Sequence, residues 1–137
     1  MADFESIQND LTAALKTVLD TLSVDLVGEN TRTDGSPQAQ SDEWAESRVL
    51  DAADLREIGG RTAEHRGQLM VEIYTPLGRG AKRGREIADS IAGAFQGVRV
   101  GSVSCYQADY RPGGRDVGSA FWHSGISIRI RWEHAPA

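Results

Sequence analysis

Residues 3–22 place apolar side chains three or four positions apart, with polar side chains between them. This is the period of an α-helix with one apolar stripe, and Asp3 is a residue type that caps the first turn of a helix. We therefore predict an amphipathic helix over residues 3–22 that packs on a hydrophobic core. The stripe consists of Phe4, Ile7, Leu11, Ala14, Leu15, Val18 and Leu22.

Residues 82–95 show the same helical period. The preceding residues, 76–81, begin with proline and are rich in glycine, which predicts a turn into this second helix. Gly97 follows the last apolar position, and glycine is the residue that most often ends a helix. The apolar stripe consists of Ile87, Ala88, Ile91, Ala92 and Phe95.

A period of two predicts the strands. Residues 68–75 are the clearest case, because Leu69, Val71 and Ile73 alternate with side chains that face the other way. Isoleucines alternate with polar residues in the same way within residues 120–133. Further strands are predicted over residues 24–27, 44–50 and 98–111, although a short helix fits 44–50 nearly as well. The Arg-Pro-Gly-Gly-Arg sequence at 111–115 predicts that the last two strands form an antiparallel hairpin.

Together these elements predict an α+β fold, with a mostly antiparallel sheet of four to five strands and two helices packed on one face. The helices are expected to cover the apolar sides of the strands. The other face carries Glu72, Tyr74, Arg129 and Arg131, and is expected to be exposed or covered by another subunit.

The length of 137 residues predicts a single domain over residues 1–137. Within it, residues 28–43 and 51–67 are polar and without period, which predicts two mobile loops, and residues 135–137 predict a flexible tail. Loops of this length in a small domain often bind a partner or become ordered on assembly.

Charge is distributed unevenly along the chain. Residues 1–60 hold thirteen acidic and four basic side chains, and residues 61–137 hold seven acidic and eleven basic ones, for a net charge of −5. An acidic half and a basic half can attract copies of the same protein or partners of opposite charge. Scattered, solvated charge is the alternative. Nucleic-acid binding is disfavoured, because it requires a concentrated basic stripe.

Several classes of protein are excluded at this stage. No apolar run is long enough for a membrane span, and no signal peptide is apparent. The single cysteine, Cys105, excludes an internal disulfide framework and predicts a reducing cytoplasm. His65, His123 and His134 are far apart and lack metal-ligand spacing, so we expect no metal site, no cofactor and no catalytic residue.

The glycine-rich turn between the predicted strand and the second helix is the remaining candidate for chemistry. Backbone amides in such a turn can bind phosphate, but the residues from Gly78 to Gly84 match neither a Walker loop nor a dinucleotide-binding fingerprint. A turn that needs glycine for a positive φ is the simpler explanation. The basic cluster Arg79, Lys82, Arg83 and Arg85 could instead dock an acidic partner, such as the acidic half of a neighbouring copy.

The order of these features resembles the phage tail terminator-like proteins of tailed phages and prophages. The resemblance covers most of the chain. It rests on the amphipathic N-terminal helix, a long polar loop, the strand opening Trp44-Ala-Glu-Ser-Arg48, the segment Gly67-Gln-Leu-Met-Val-Glu-Ile-Tyr-Thr-Pro-Leu-Gly78, the helix that follows Gly80, and a closing hairpin. Its most specific part is the strand, the Thr75-Pro-Leu-Gly78 turn and the helix.

This resemblance implies a structural virion protein and not an enzyme. Tail terminators form a ring, typically of six subunits, on the head-proximal end of the tail tube, stop tube polymerisation and provide the attachment surface for the head connector. The implied partners are other copies of the chain, the tail tube protein and a head-completion or connector protein, with DNA passing through the channel without specific binding. The implied location is the virion, after assembly in the bacterial host cytoplasm. A head–tail adaptor or neck protein, a phosphate- or nucleotide-binding domain and an unrecognised enzyme remain alternatives.

Three regions are predicted to make protein–protein contacts, without family residues to carry over. The first is the basic cluster Arg79, Lys82, Arg83 and Arg85. The second is the exposed sheet face with Glu72, Arg129 and Arg131, and the third is the loop around Asp34, Gly35 and Ser36.

Overall fold

Two helices and six strands make up the part of the chain that the computed structural model describes, which is residues 4–27, 43–58, 62–78, 80–115 and 121–134. In chain order they are α1 (Phe4–Thr21), β1 (Asp25–Val27), β2 (Trp44–Ile58), β3 (Thr62–Pro76), α2 (Gly80–Phe95), β4 (Arg99–Val100), β5 (Val103–Arg115) and β6 (Phe121–His134). Neither of these two helices is long and apolar enough to cross a membrane.

Both predicted helices are confirmed. α2 begins at Gly80, slightly earlier than predicted, and ends at Phe95. Gly97 has a φ of +74°, and its amide donates a hydrogen bond to the carbonyl of Cys105, so the predicted stop residue turns the chain toward the sheet. Asp3, the predicted cap of α1, lies outside the described residues.

The sheet differs from the prediction in strand number and direction. It has six strands, not four to five, in the order β1-β2-β3-β6-β5-β4, and it is mixed because β1 runs parallel to β2. A parallel neighbour needs a long connection, and residues 28–43 supply it. The sixth strand arises because the predicted strand 98–111 turns at Gly101, where φ is +58°, and divides into the antiparallel pair β4 and β5.

The prediction of a loop over residues 51–67 is wrong. β2 continues to Ile58 and β3 already begins at Thr62, so this stretch is the far half of a long antiparallel hairpin with an irregularity between Asp51 and Leu55. β6 pairs with β3 over its length, from Ala63 to Pro76. Main-chain hydrogen bonds on both sides therefore hold a strand whose side chains lack apolar alternation. The loop predicted near 28–43 and the tail at 135–137 lie almost entirely outside the described residues.

Both helices pack on the same face of the sheet, as predicted, and form the hydrophobic core with it. The side chains of β3 and β6 that were predicted to face the helices are buried there. The largest fully buried residues of this core are Ile7, Leu11, Leu15, Leu19, Leu69, Ile73, Ile87, Ile91, Phe95, Ile128 and Ile130. The opposite side of β2, β3, β6 and β5 carries no described helix, and we call it the helix-free face.

Candidate functional site

The helix-free face is polar and charged, and it contains two separate clusters. Glu72 lies in the first, near the centre of β3, whereas Arg129 and Arg131 lie in the second, toward the end of β6. The prediction that these three side chains face away from the helices is confirmed. Their predicted role in contacts with other proteins stays a prediction.

The first cluster joins Glu72 to two basic groups. Nη2 of Arg111 lies 2.6 Å from both carboxylate oxygens of Glu72, and Nε2 of His123 lies 2.6 Å from Oε2. Gly125 makes this approach possible, because a Cβ at that position would lie 2.3 Å from Nη2 of Arg111. Burial raises the pKa of Glu72, but the hydrogen bonds and charges of Arg111 and His123 outweigh it, and the pKa lies below its ordinary value of 4.5.

A row of stacked rings borders this cluster. The rings of Trp44 and Tyr74 are 3.9 Å apart and nearly parallel, and His123 stacks on the other side of Tyr74 at 4.4 Å. The row crosses three strands at directly paired positions, which are close enough for side chains to interact. Trp44 is only 3% exposed although it lies on the helix-free face. The stacking fixes the orientation of His123 toward Glu72.

The second cluster lines an open groove between β3, β5 and β6. β5 has an extra residue between Cys105 and Ala108, where its register with β6 shifts, and this bulge carries Tyr106 and Gln107 at the wall of the groove. The groove has a volume of about 530 Å³. Its lining residues are Arg66, Gly67, Gln68, Tyr106, Gln107, Arg129, Ile130 and Arg131.

Arginine dominates the lining of this groove, and a neighbouring carboxylate partly offsets its charge. Glu64 lies 3.0 Å from Nε of Arg66 and 3.5 Å from Nη1 of Arg131, and its side chain is 10% exposed. The guanidinium of Arg131 also lies over the Tyr106 ring, 5.7 Å from its centroid. Arg129 is exposed and forms no ion pair among the described residues. The groove is therefore basic, and Arg129 is its arginine that is not neutralised by an ion pair among the described residues.

The described members of the basic cluster Arg79, Lys82, Arg83 and Arg85 differ in their surroundings, and their predicted role in protein–protein contacts stays a prediction. Arg83 is partly buried and bound within the molecule: its Nε lies 2.9 Å from both carboxylate oxygens of Glu43, and its Nη2 donates to the carbonyl of Leu22 at 2.8 Å. Lys82 and Arg85 are exposed. Arg79 lies outside the described residues, as do Asp34, Gly35 and Ser36. Arg83 therefore links α2 to the end of α1 and to the start of β2.

The glycines of the strand-to-helix turn have structural roles. Gly78 has a φ of +102°, as expected for a turn that requires glycine. Gly80 and Gly84 let α2 approach the sheet, because a Cβ at Gly80 would lie 2.2 Å from Cβ of Trp122 and one at Gly84 would lie 2.7 Å from Oγ of Ser124. Thr75 donates a hydrogen bond to the carbonyl of Gly80 and fixes the start of the helix.

Sequence reasoning missed several members of these clusters. Arg111, His123, Arg66 and Tyr106 were not singled out for contacts, because their neighbours in space come from strands distant in the chain. Gly125 was the one available signal, since a glycine inside a strand often marks a close approach. In the described part of the chain, His, Cys, Asp and Glu form no group of three or more suited to hold a metal ion.

The comparisons with known proteins decide the family. The model of the phage tail terminator protein family matches residues 9–132. The chain belongs to this family. The resemblance predicted from the sequence is thereby confirmed.

The other comparisons support the fold alone or find no match. A solved structure superposes with a TM-score of 0.60 at 19% sequence identity, over 94% of this chain and 97% of that chain. No curated protein matches the sequence. Membership in the tail terminator family makes the protein a structural virion component that acts in phage tail assembly through contacts with other tail or head proteins.

Proposed function

We propose that the protein is a tail terminator subunit that forms a ring, typically a hexamer, on the head-proximal end of the tail tube. In this function the ring stops tube polymerisation and presents the surface to which the head connector attaches. DNA passes through its channel without specific binding, and the ring assembles in the host cytoplasm. The observation that carries the proposal is the family match over residues 9–132.

The distribution of surface chemistry supports a ring. A subunit in a head-to-tail ring needs two different, complementary surfaces. The α1 segment holds three carboxylates and one lysine, and the groove on the opposite side of the sheet is lined by three arginines. Since the two lie on opposite faces of the sheet, each remains available to another molecule.

The test is tube capping in vitro. Purified protein is added to polymerising tail tube protein, and tube lengths are measured by negative-stain electron microscopy. A terminator shortens the tubes in proportion to its concentration and appears as a ring at one end only. A neck adaptor would bind the connector and leave tube length unchanged, which would contradict the proposal.

The mass of the free protein gives a second measurement. Native mass spectrometry should show a species near six times the 14.9 kDa monomer, either alone or after contact with tubes. Millimolar phosphate or nucleotide should leave the melting temperature unchanged, because binding of such a ligand would raise it. Unchanged tube lengths together with ligand stabilisation would favour a small-ligand binding domain instead.

A further inference from the structure

The groove between β3, β5 and β6 brings three arginines together on the helix-free face. Arg66 and Arg131 share the carboxylate of Glu64, whereas Arg129 projects into the groove region without an ion pair among the described residues. Arginine is enriched in the centres of protein interfaces. The bulge of β5 adds Tyr106, whose 43% exposed ring is another typical interface residue.

We propose that this groove receives the acidic surface of α1 from a second copy of the chain. The proposal rests on the proposed ring and names the two surfaces that would join its subunits. Glu5, Asp10 and Asp20 give α1 its negative charge, and Lys16, the one basic residue of the helix, lies 3.3 Å from Asp20 and offsets part of it. α1 packs on the helix-covered face and the groove opens on the other, so the contact joins two molecules in a head-to-tail manner.

Duplex DNA is a poorer occupant of the groove. Glu64 lies within the arginine cluster, Glu133 is its directly paired neighbour on β6, and Asp109 lies further along β5. These carboxylates interrupt the positive charge over a short distance, whereas a duplex needs a continuous basic stripe. A partner with a few discrete carboxylates, as on α1, matches the groove better than a uniform polyanion does.

Strand pairing at the edge of the sheet is also a poorer way to join copies. Along β5, the main chain of Cys105 already pairs with Gly97 and Val98, and the amide of Ala108 already donates a hydrogen bond to the side chain of Gln96, so these groups are not open to another strand. Pro112 lacks an amide hydrogen, and a second irregularity follows it. Prolines and bulges of this kind protect edge strands from pairing. The groove is therefore the more favourable contact on this side of the molecule.

The experiment measures self-association by sedimentation velocity, alone and with tail tubes, for wild type and for two groups of variants. Arg129→Glu reverses the charge in the groove without breaking a contact within the described residues, and Arg129→Gln serves as a milder second variant. Glu5→Lys with Asp20→Lys reverses α1. Both groups should raise the dissociation constant of self-association by about tenfold or more, and added salt should weaken wild-type association.

The matched control is Arg48→Glu, which makes the same change of charge on the same face but outside the groove. It should leave association within about twofold of wild type. Equal losses in the control and in Arg129→Glu would overturn the proposal, because the effect would then follow from total charge. Unchanged association in either variant group would also overturn it.

Tube capping and self-association, measured together, distinguish a failure of this inference from a failure of the proposed function. Tube capping by wild type, with association insensitive to Arg129 and α1, would leave the terminator function standing and reject the groove. A wild type that never self-associates, with or without tubes, would reject the groove contact outright, and the function would fail only if capping failed as well. Binding of a fluorescent DNA duplex that depends on Arg129 would replace the second copy with DNA as the occupant.

Discussion

The ion pair between Arg83 and Glu43 gives the sharpest test of how the elements are held together. Arg83 lies on α2, Glu43 precedes β2, and Leu22 follows the last residue of α1. One guanidinium therefore joins three segments that are far apart in the chain. It also satisfies a main-chain carbonyl at the end of α1, where such groups lack partners within the helix.

The size of the effect follows from these contacts. Arg83 donates to Glu43 and to the carbonyl of Leu22, and hydrogen bonds that involve a charged group contribute about 1.5–3 kcal/mol each. Its removal also leaves Glu43, which is 8% exposed, with a poorly solvated charge. Since 24% of the Arg83 side chain is exposed, water recovers part of the loss. We expect Arg83→Ala to lower the free energy of unfolding by about 2–3 kcal/mol.

The assay is urea unfolding followed by circular dichroism, with thermal melts in parallel. Arg83→Ala should lower the melting temperature by roughly 10 °C. Arg85→Ala is the matched control, because Arg85 is exposed on the same helix, and it should change the free energy of unfolding by less than about 0.5 kcal/mol. If Arg83→Ala changes stability no more than the control does, the stabilising role of its contacts with Glu43 and Leu22 is refuted. Charge reversal at Arg83 would destabilise the fold, so its effect on assembly could not be separated from its effect on folding.

Three further predictions follow from other parts of the structure. Gly80→Ala should destabilise the fold by about 1–3 kcal/mol in the same unfolding assay, because the new methyl group meets Trp122, whereas Gly93→Ala, in open space on the same helix, should be neutral or stabilising. Because the pKa of Glu72 is lowered in the folded protein, its contribution to stability is present above the ordinary pKa of 4.5 and is lost as the pH falls through the lower folded value. Glu72→Gln should therefore flatten the acid dependence of the free energy of unfolding, measured at a series of pH values. Burial raises the pKa of the Cys105 thiol to about 11, so a thiol reagent at pH 8 should react slowly with the folded protein and rapidly in urea; rapid reaction in the native state would contradict its burial.

Local periodicity was sufficient to predict the helices and the strands around the core. The stripe of α2 and the alternation of Leu69, Val71 and Ile73 are each visible within a single element, and the core uses them as expected. Residues 51–67 show the limit of this reasoning. Residues 51–58 pair with β3, and residues 63–67 of β3 pair in turn with β6, a segment more than fifty residues away in the chain. No local pattern reports on that second pairing.

The candidate surfaces were predictable only in part. Alternation along β3 and β6 assigned Glu72, Arg129 and Arg131 to the helix-free face, because a strand places successive side chains on opposite faces. The alternation could not predict which side chains form ion pairs, since the ion pair of Glu72 with Arg111 depends on the register of β5 and on the space left by Gly125. The partners of Arg83 could not be predicted for the same reason, because they come from two other segments.

The position of β3 between β2 and β6 sets the order in which the sheet can form. β2 and β3 are joined by a short connection and can close as a hairpin early, whereas β6 follows only after α2, β4 and β5. Pairing of segments so distant in the chain slows folding. Until β6 arrives, one edge of β3, with its apolar Leu69, Val71 and Ile73, is open to strands of other molecules. Rapid synthesis of many copies therefore exposes this protein to aggregation during folding, before finished subunits exist.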